Sequence, residues 1–246
     1  VKLAHRYHDG ARRHILHADI SFHGKLLGSA GLTGSPELDR EFPTIPNIVS
    51  FEFNKVESIK KAVGRLRNTN GESDIYAIIL EPFSASSLRE CTAEFLKELR
   101  SLCSREDIVL IFDEVYSGWA KTGELFNFMK HDVVPDIVTM SKSFGGGKSS
   151  ISCYTSRDRF FRKAYDNLND ATLHSTTYNG FGEECVTAME SLKILVEEDY
   201  VGKSRRIYER LNKGLRQLQD KHPDFIQEVR GSGSLNGIIL NQDMNI

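Results

Sequence analysis

Residues 107–147, DIVLIFDEVYSGWAKTGELFNFMKHDVVPDIVTMSKSFGGG, decide how the rest of the chain reads. Two short apolar runs lie in this stretch. Residues 108–112 deliver Asp113 and Glu114, and residues 137–140 deliver Ser141 and Lys142. Unbroken runs of Ile, Val, Leu and Phe of this length suit strands buried on both faces, which is the pattern of a parallel sheet. Ligands of such sheets sit beyond the carboxyl ends of the strands. A carboxylate and an amine brought to that edge reach one small molecule from two sides. Asp113 and Lys142 are 29 residues apart, which leaves room for one helical crossover between parallel strands.

A lysine amine forms a Schiff base with a carbonyl, and a buried carboxylate holds a pyridinium nitrogen protonated. That pair is the minimum protein chemistry for pyridoxal phosphate. By spacing alone it is equally a surface lysine and a strand-end aspartate on neighbouring strands with no shared role. The wording goes further. IFDEVYSGWAKTG followed by PDIVTMSKSFGGG resembles the signature of class III pyridoxal-phosphate-dependent aminotransferases, the ω-aminotransferase group of fold type I. The resemblance implies that Asp113 binds the pyridine nitrogen and that Lys142 carries the cofactor as a Schiff base. It also implies an α/β fold, with a mostly parallel central sheet and helices on both faces.

Composition is that of an ordinary globular chain: 246 residues, 39% hydrophobic and 27% charged, with a net charge of −2. There is no basic surplus to mark a nucleic-acid partner. No apolar run approaches the roughly 18 residues that suggest a membrane span, and no signal peptide is visible. Cys91, Cys103, Cys153 and Cys185 have neither CxxC spacing nor the look of a disulfide or zinc framework. A cytoplasmic protein with reduced thiols and no metal is expected.

From the amino terminus, residues 1–10 read as a helix tail closing near Asp9-Gly10, and residues 14–17 as a short strand. Phe22-His23-Gly24 matches the family's aromatic-His-Gly step, where the aromatic stacks on the cofactor ring. This places Phe22 and His23 among the cofactor-binding residues; without the resemblance Phe22 reads as a core residue. Residues 36–50, with Pro36, Pro43 and Pro46, form an irregular connection. Residues 49–53 read as a strand, and residues 56–67 as a helix with a solvated basic face.

Residues 75–80 are the third clear buried strand, ending in Glu81-Pro82. Glu81 reads either as an acid behind the cofactor or as a strand-end charge. In the family a Gly- and Glu-containing loop follows; here Ser86 stands where its carboxylate is expected, which puts simple glutamate specificity in doubt. Residues 90–103 form an amphipathic helix. Tyr116 replaces the Gln common near the cofactor's phenolic oxygen, and Lys121 replaces Arg in an Arg-Thr-Gly step. Residues 145–149, GGGKS, fail the P-loop pattern, because Lys142 stands where its first Gly is required. Helices are expected over residues 159–168, 183–196 and 204–222. Thr177 matches the Thr that reaches the cofactor phosphate of the neighbouring subunit, so a homodimer with shared active sites is implied.

The resemblance covers roughly residues 1–240. It divides the chain into a large cofactor-binding domain, residues 1–225, and the start of a small carboxyl-terminal domain, residues 226–246. The family's phosphate-cup loop and the rest of the small domain are absent, so a fragment is expected. The function implied is transfer of an amino group from an amine or amino-acid donor to an aldehyde or keto acceptor, by way of Lys142. The alternatives are other pyridoxal-phosphate chemistry on the same fold (aminomutase, decarboxylase, racemase) or a non-catalytic scaffold.

Overall fold

A computed structural model describes residues 1–35, 41–170 and 172–241. Six strands form the central sheet: β1 (His14–Ala18), β2 (Ile48–Phe51), β3 (Ile75–Leu80), β4 (Val109–Asp113), β5 (Ile137–Met140) and β6 (Cys153–Ser156). Their order is β2-β1-β3-β4-β5-β6. The first five are parallel, and β6 closes the sheet antiparallel to β5. The chain is thus α/β with a mostly parallel sheet, as its apolar runs imply.

Alternation along the strands divides the core in two. Leu16, Ile78, Leu80, Leu110 and Phe112 face one side. There they meet Ile59 and Val63 of helix α3 (Val56–Arg65) and Phe95, Leu96 and Leu99 of α4 (Ala93–Arg105). Ile15, Ala77, Ile79, Val109 and Ile111 face the other, against Leu3 and Ala4 of α1 (Lys2–Tyr7) and Phe160 and Ala164 of α5 (Asp158–Tyr165). A short helix α2 (Leu27–Ala30) follows β1. Helices therefore cover both faces, and burial of these apolar side chains is the main stabilising term. The long helices α6 (Gly182–Glu197) and α7 (Tyr200–Lys221) precede an antiparallel hairpin, β7 (Ile226–Ser232) and β8 (Leu235–Leu240).

Several expectations shift at the ends of elements. Helix α4 starts at Ala93, not residue 90, because the Thr92 hydroxyl caps it by accepting from the Phe95 N–H. Helix α7 starts at Tyr200, four residues before expected, because the Asp199 carboxylate accepts from the Gly202 N–H. The expected helix over residues 159–168 ends at Tyr165, and a 3₁₀ turn (Leu168–Asp170) follows. The irregular connection expected over residues 36–50 falls partly outside the described residues: 36–40, with Pro36, are not among them.

The expected helical crossover between β4 and β5 is not α-helical. That connection holds a 3₁₀ turn (Asn127–His131) and a run of tight turns. Trp119 and Ala120 have left-handed φ angles of 63° and 65°, which no helix accommodates. Trp119 and Phe126 instead pack 5.0 Å apart, centroid to centroid, and fill the space.

Phe112 is fully buried between the sheet and α4. Phe112→Ala is expected to cost about 3–5 kcal/mol. Urea unfolding should show a lower midpoint at unchanged slope.

Candidate active site

Because β3, β4 and β5 are parallel and in register, with Leu80 opposite Phe112 and Asp113 opposite Thr139, their carboxyl ends share one edge. Each strand hands over a polar residue there. Glu81 follows β3, Asp113 ends β4 with Glu114 next, and Ser141-Lys142 follows β5. The loop after β1 brings Phe22 and His23 to the same place.

Contacts link these groups. His23 Nδ1 lies 2.8 Å from Asp113 Oδ2, and the Val115 N–H donates to Asp113 Oδ1 at 3.0 Å. The His23 ring is buried behind the carboxylate, and its Nε2 has no partner among the described residues. Asp113 thus has a donor on each oxygen, a support set that orients a carboxylate. Glu81 is buried and accepts from the N–H groups of Phe22 (2.9 Å) and Ala85 (3.2 Å). Its contacts are with backbone: it fixes the segment that carries Phe22. Phe22 itself is 39% exposed. Ser86 is exposed on the loop after Glu81.

Burial pushes the Glu81 carboxyl up to about 7; the Asp113 charge adds to this, while His23 and the Phe22 and Ala85 N–H groups oppose it. Glu114 is pushed up to about 7 as well, by complete burial first and the Asp113 charge after it, against hydrogen bonds from Ser117 and the Phe128 N–H. These two acids lie under the surface of the site.

Lys142 opens a 3₁₀ turn (Lys142–Gly145) and adopts a left-handed φ of 50°, a strained conformation for a residue with a side chain. The Trp119 indole N–H donates to the Ser141 carbonyl at 3.0 Å, and the same indole stacks on Phe144 at 4.8 Å. One indole therefore braces the chain on either side of Lys142, at Ser141 and at Phe144. The Lys142 ammonium stands 5.4 Å from the centroid of the Tyr116 ring, which in turn stacks on Phe83. Burial and the Glu81 charge raise the Tyr116 hydroxyl. Thr177 does not join this group. It lies in an exposed stretch, residues 172–180, and makes no side-chain hydrogen bond among the described residues.

A class III aminotransferase family model matches the chain over residues 1–246. The chain belongs to the class III aminotransferases. Members of this family work with pyridoxal 5′-phosphate. Three solved structures illustrate the likeness. A transaminase with L-alanine superimposes at a TM-score of 0.87 with 27% identity, over 98% of this chain and 62% of that one. A transaminase from the marine bacterium Virgibacillus gives 0.90 and 24%, over 98% and 56%. The ornithine aminotransferase from Toxoplasma gondii, with pyridoxal phosphate at partial occupancy in its own active site, gives 0.87 and 21%, over 98% and 56%. The chain thus spans less than two thirds of the length of these structures.

Sequence reasoning left Trp119 and Phe83 without a role, yet they brace Lys142 and Tyr116. A lone Trp between two strand ends that both carry polar residues is a signal that was there to read. No group of His, Cys, Asp and Glu among the described residues could hold a metal ion. No helix there is long and apolar enough to cross a membrane.

A carboxyl raised by burial stabilises the fold most below its unfolded value of 4.5, and that contribution is lost as pH rises through about 7. Glu81→Gln removes one such acid. Relative to the parent, the variant should gain up to about 3 kcal/mol between pH 5 and pH 8, read from urea melts at both. A gap between the two proteins that does not change with pH would contradict the burial argument.

Proposed function

We propose that this chain carries the cofactor site of an aminotransferase that moves an amino group from an amine or amino-acid donor to an aldehyde or keto acceptor. The observation that carries the reading is the meeting, at one sheet edge, of the oriented Asp113 carboxylate and the braced Lys142 amine. Their surroundings fit pyridoxal phosphate: a flat exposed ring at Phe22, a ring wall at Tyr116, and a carboxylate whose two supporting donors leave its remaining lone pairs free.

When bound, the cofactor supplies an aldehyde carbon that captures amines and a pyridinium ring that takes up an electron pair. Lys142 would hold it through Nζ, and the same Nζ, when free, would move a proton at the substrate carbon as general acid and base. Asp113 would keep a proton on the ring nitrogen. His23 donates Nδ1–H to Asp113 and sets the angle of that carboxylate. Phe22 covers the ring face, an interaction of about 0.5–1.5 kcal/mol between flat π systems. Glu81 holds the Phe22 backbone in place, and Tyr116, which stands in the sequence where the family commonly has Gln, would face the cofactor's phenolic oxygen. Nothing in the geometry favours aminomutase, decarboxylase or racemase chemistry over transfer, and a scaffold has no need of a strained lysine.

In this reading the protein is a homodimer, with Thr177 reaching the cofactor phosphate of the other subunit. Support comes from an apolar stripe on α6: Val186, Met189 and Val196, each about two-thirds exposed, recur at helical spacing beside exposed Tyr178. The hairpin β7–β8 forms a sheet of its own, which supports placing the start of a second domain at residues 226–246, after a large domain at residues 1–225. Four free cysteines, two of them buried, suit a reducing cytoplasm.

Pyridoxal phosphate added to the purified protein should produce a visible absorption band that borohydride bleaches. Lys142→Ala should abolish the band while leaving the melting temperature within a few degrees. A band of equal strength in Lys142→Ala would remove the reading. For the dimer, Val186→Asp combined with Met189→Asp should halve the mass measured by light scattering, and an unchanged mass would refute the α6 interface.

A further inference from the structure

A second amine shares the ring that faces Lys142. The Lys121 ammonium lies 5.6 Å from the Tyr116 centroid, against 5.4 Å for Lys142. An aromatic face attracts a cation but does not neutralise it. Neither lysine has a carboxylate partner in an ion pair among the described residues. Glu114, the acid whose charge Lys121 feels, already spends its oxygens on Ser117 and the Phe128 N–H. Lys121 is half-buried, and burial followed by the Lys142 charge lowers its pKa to about 8. A cation partly removed from water without a counter-ion is unfavourable unless a ligand supplies one.

The lysine is also held for such a task. Its carbonyl accepts from the Ser204 hydroxyl (3.0 Å), the Ser234 N–H (2.7 Å) and the Ser234 hydroxyl (3.1 Å). Gly233, at a left-handed φ of 56°, packs so closely that an added Cβ would strike the Lys121 carbonyl. The backbone is pinned while the ammonium is presented beside a stacked Tyr116–Phe83 wall. A single point charge against an apolar wall suits one carboxylate. Lys142, in the aminotransferase reading, is committed to the carbonyl carbon and cannot serve the anion.

We propose that Lys121 is a substrate-binding residue that receives the carboxylate of an amino-acid donor or keto-acid acceptor, and so selects acid-bearing substrates over simple amines. This rests on the aminotransferase reading. The same charge could be met by the cofactor's phosphate, so the test separates the two sources.

Donors are compared in pairs, an amino acid with the amine that has hydrogen in place of its carboxylate, in the parent, Lys121→Met and Lys121→Arg. Loss of a charge-assisted hydrogen bond lowers kcat/KM for the acid about ten- to a hundredfold in Lys121→Met, mainly through KM. The amine changes by less than about twofold, and Lys121→Arg restores most of the acid's rate. Equal losses for acid and amine, or no loss, would overturn the proposal. A second arm needs no turnover: acetic anhydride labelling of Lys121 in cofactor-free protein, read by peptide mass spectrometry. Succinate should slow labelling several-fold and dimethyl succinate should not. Protection by inorganic phosphate alone would assign the charge to the cofactor and refute the substrate role. If the Lys142-dependent band is missing, the aminotransferase reading has failed, and the labelling arm still decides whether Lys121 takes a carboxylate.

Discussion

Parallel pairing of β3, β4 and β5 is the constraint on which the molecule turns. In-phase hydrogen bonding between strands running the same way puts all their carboxyl ends at one level. Residues far apart in the chain, Glu81, Asp113 and Lys142, then meet without any loop having to search for its partner. The apolar faces that hold the strands in place are buried under four helices, two per side. The polar residues that end each strand are thus stationed by the least deformable part of the fold.

Two buried carboxyls carry the cost of this arrangement and stabilise the loops in return. Glu81 and Glu114 sit in a poorly solvated layer beneath the edge, and each secures backbone N–H groups of a connecting segment. Glu81 binds the segment bearing Phe22, and Glu114 the segment bearing Phe128. Neither carboxylate reaches the open side of the site. Asp113 is buried as well, and a histidine and a backbone donor hold its two oxygens. Three buried acids at one edge therefore take different parts through the partners each one holds.

Much of this was legible in the sequence, for a definite reason. Strands buried on both faces are apolar, so β3 begins and ends where its apolar run does. Asp113 could be placed at the edge because it directly follows such a run, and Lys142 because it stands one residue beyond the end of β5. Contacts set by tertiary packing were not legible. The hydrogen bond from His23 to Asp113 joins residues 90 apart in the chain, and no local pattern encodes it. The stretch between β4 and β5 has the length of a helical crossover, yet Trp119 and its aromatic neighbours fold it into turns. Cap chemistry at Thr92 and Asp199 moved helix starts that periodicity alone had set elsewhere.

The carbonyl of Lys121 gathers donors from both α7 and the hairpin turn, and Ser232 of β7 also donates to the neighbouring Thr122 carbonyl. Mechanically, that loop is a pivot. A rigid rotation of the hairpin has to pull on the backbone of the residue whose ammonium faces Tyr116, since the close packing of Gly233 leaves no slack to absorb it. Torque applied at the far end of the chain is thereby delivered to the wall of the site, and occupancy of the site resists it in return.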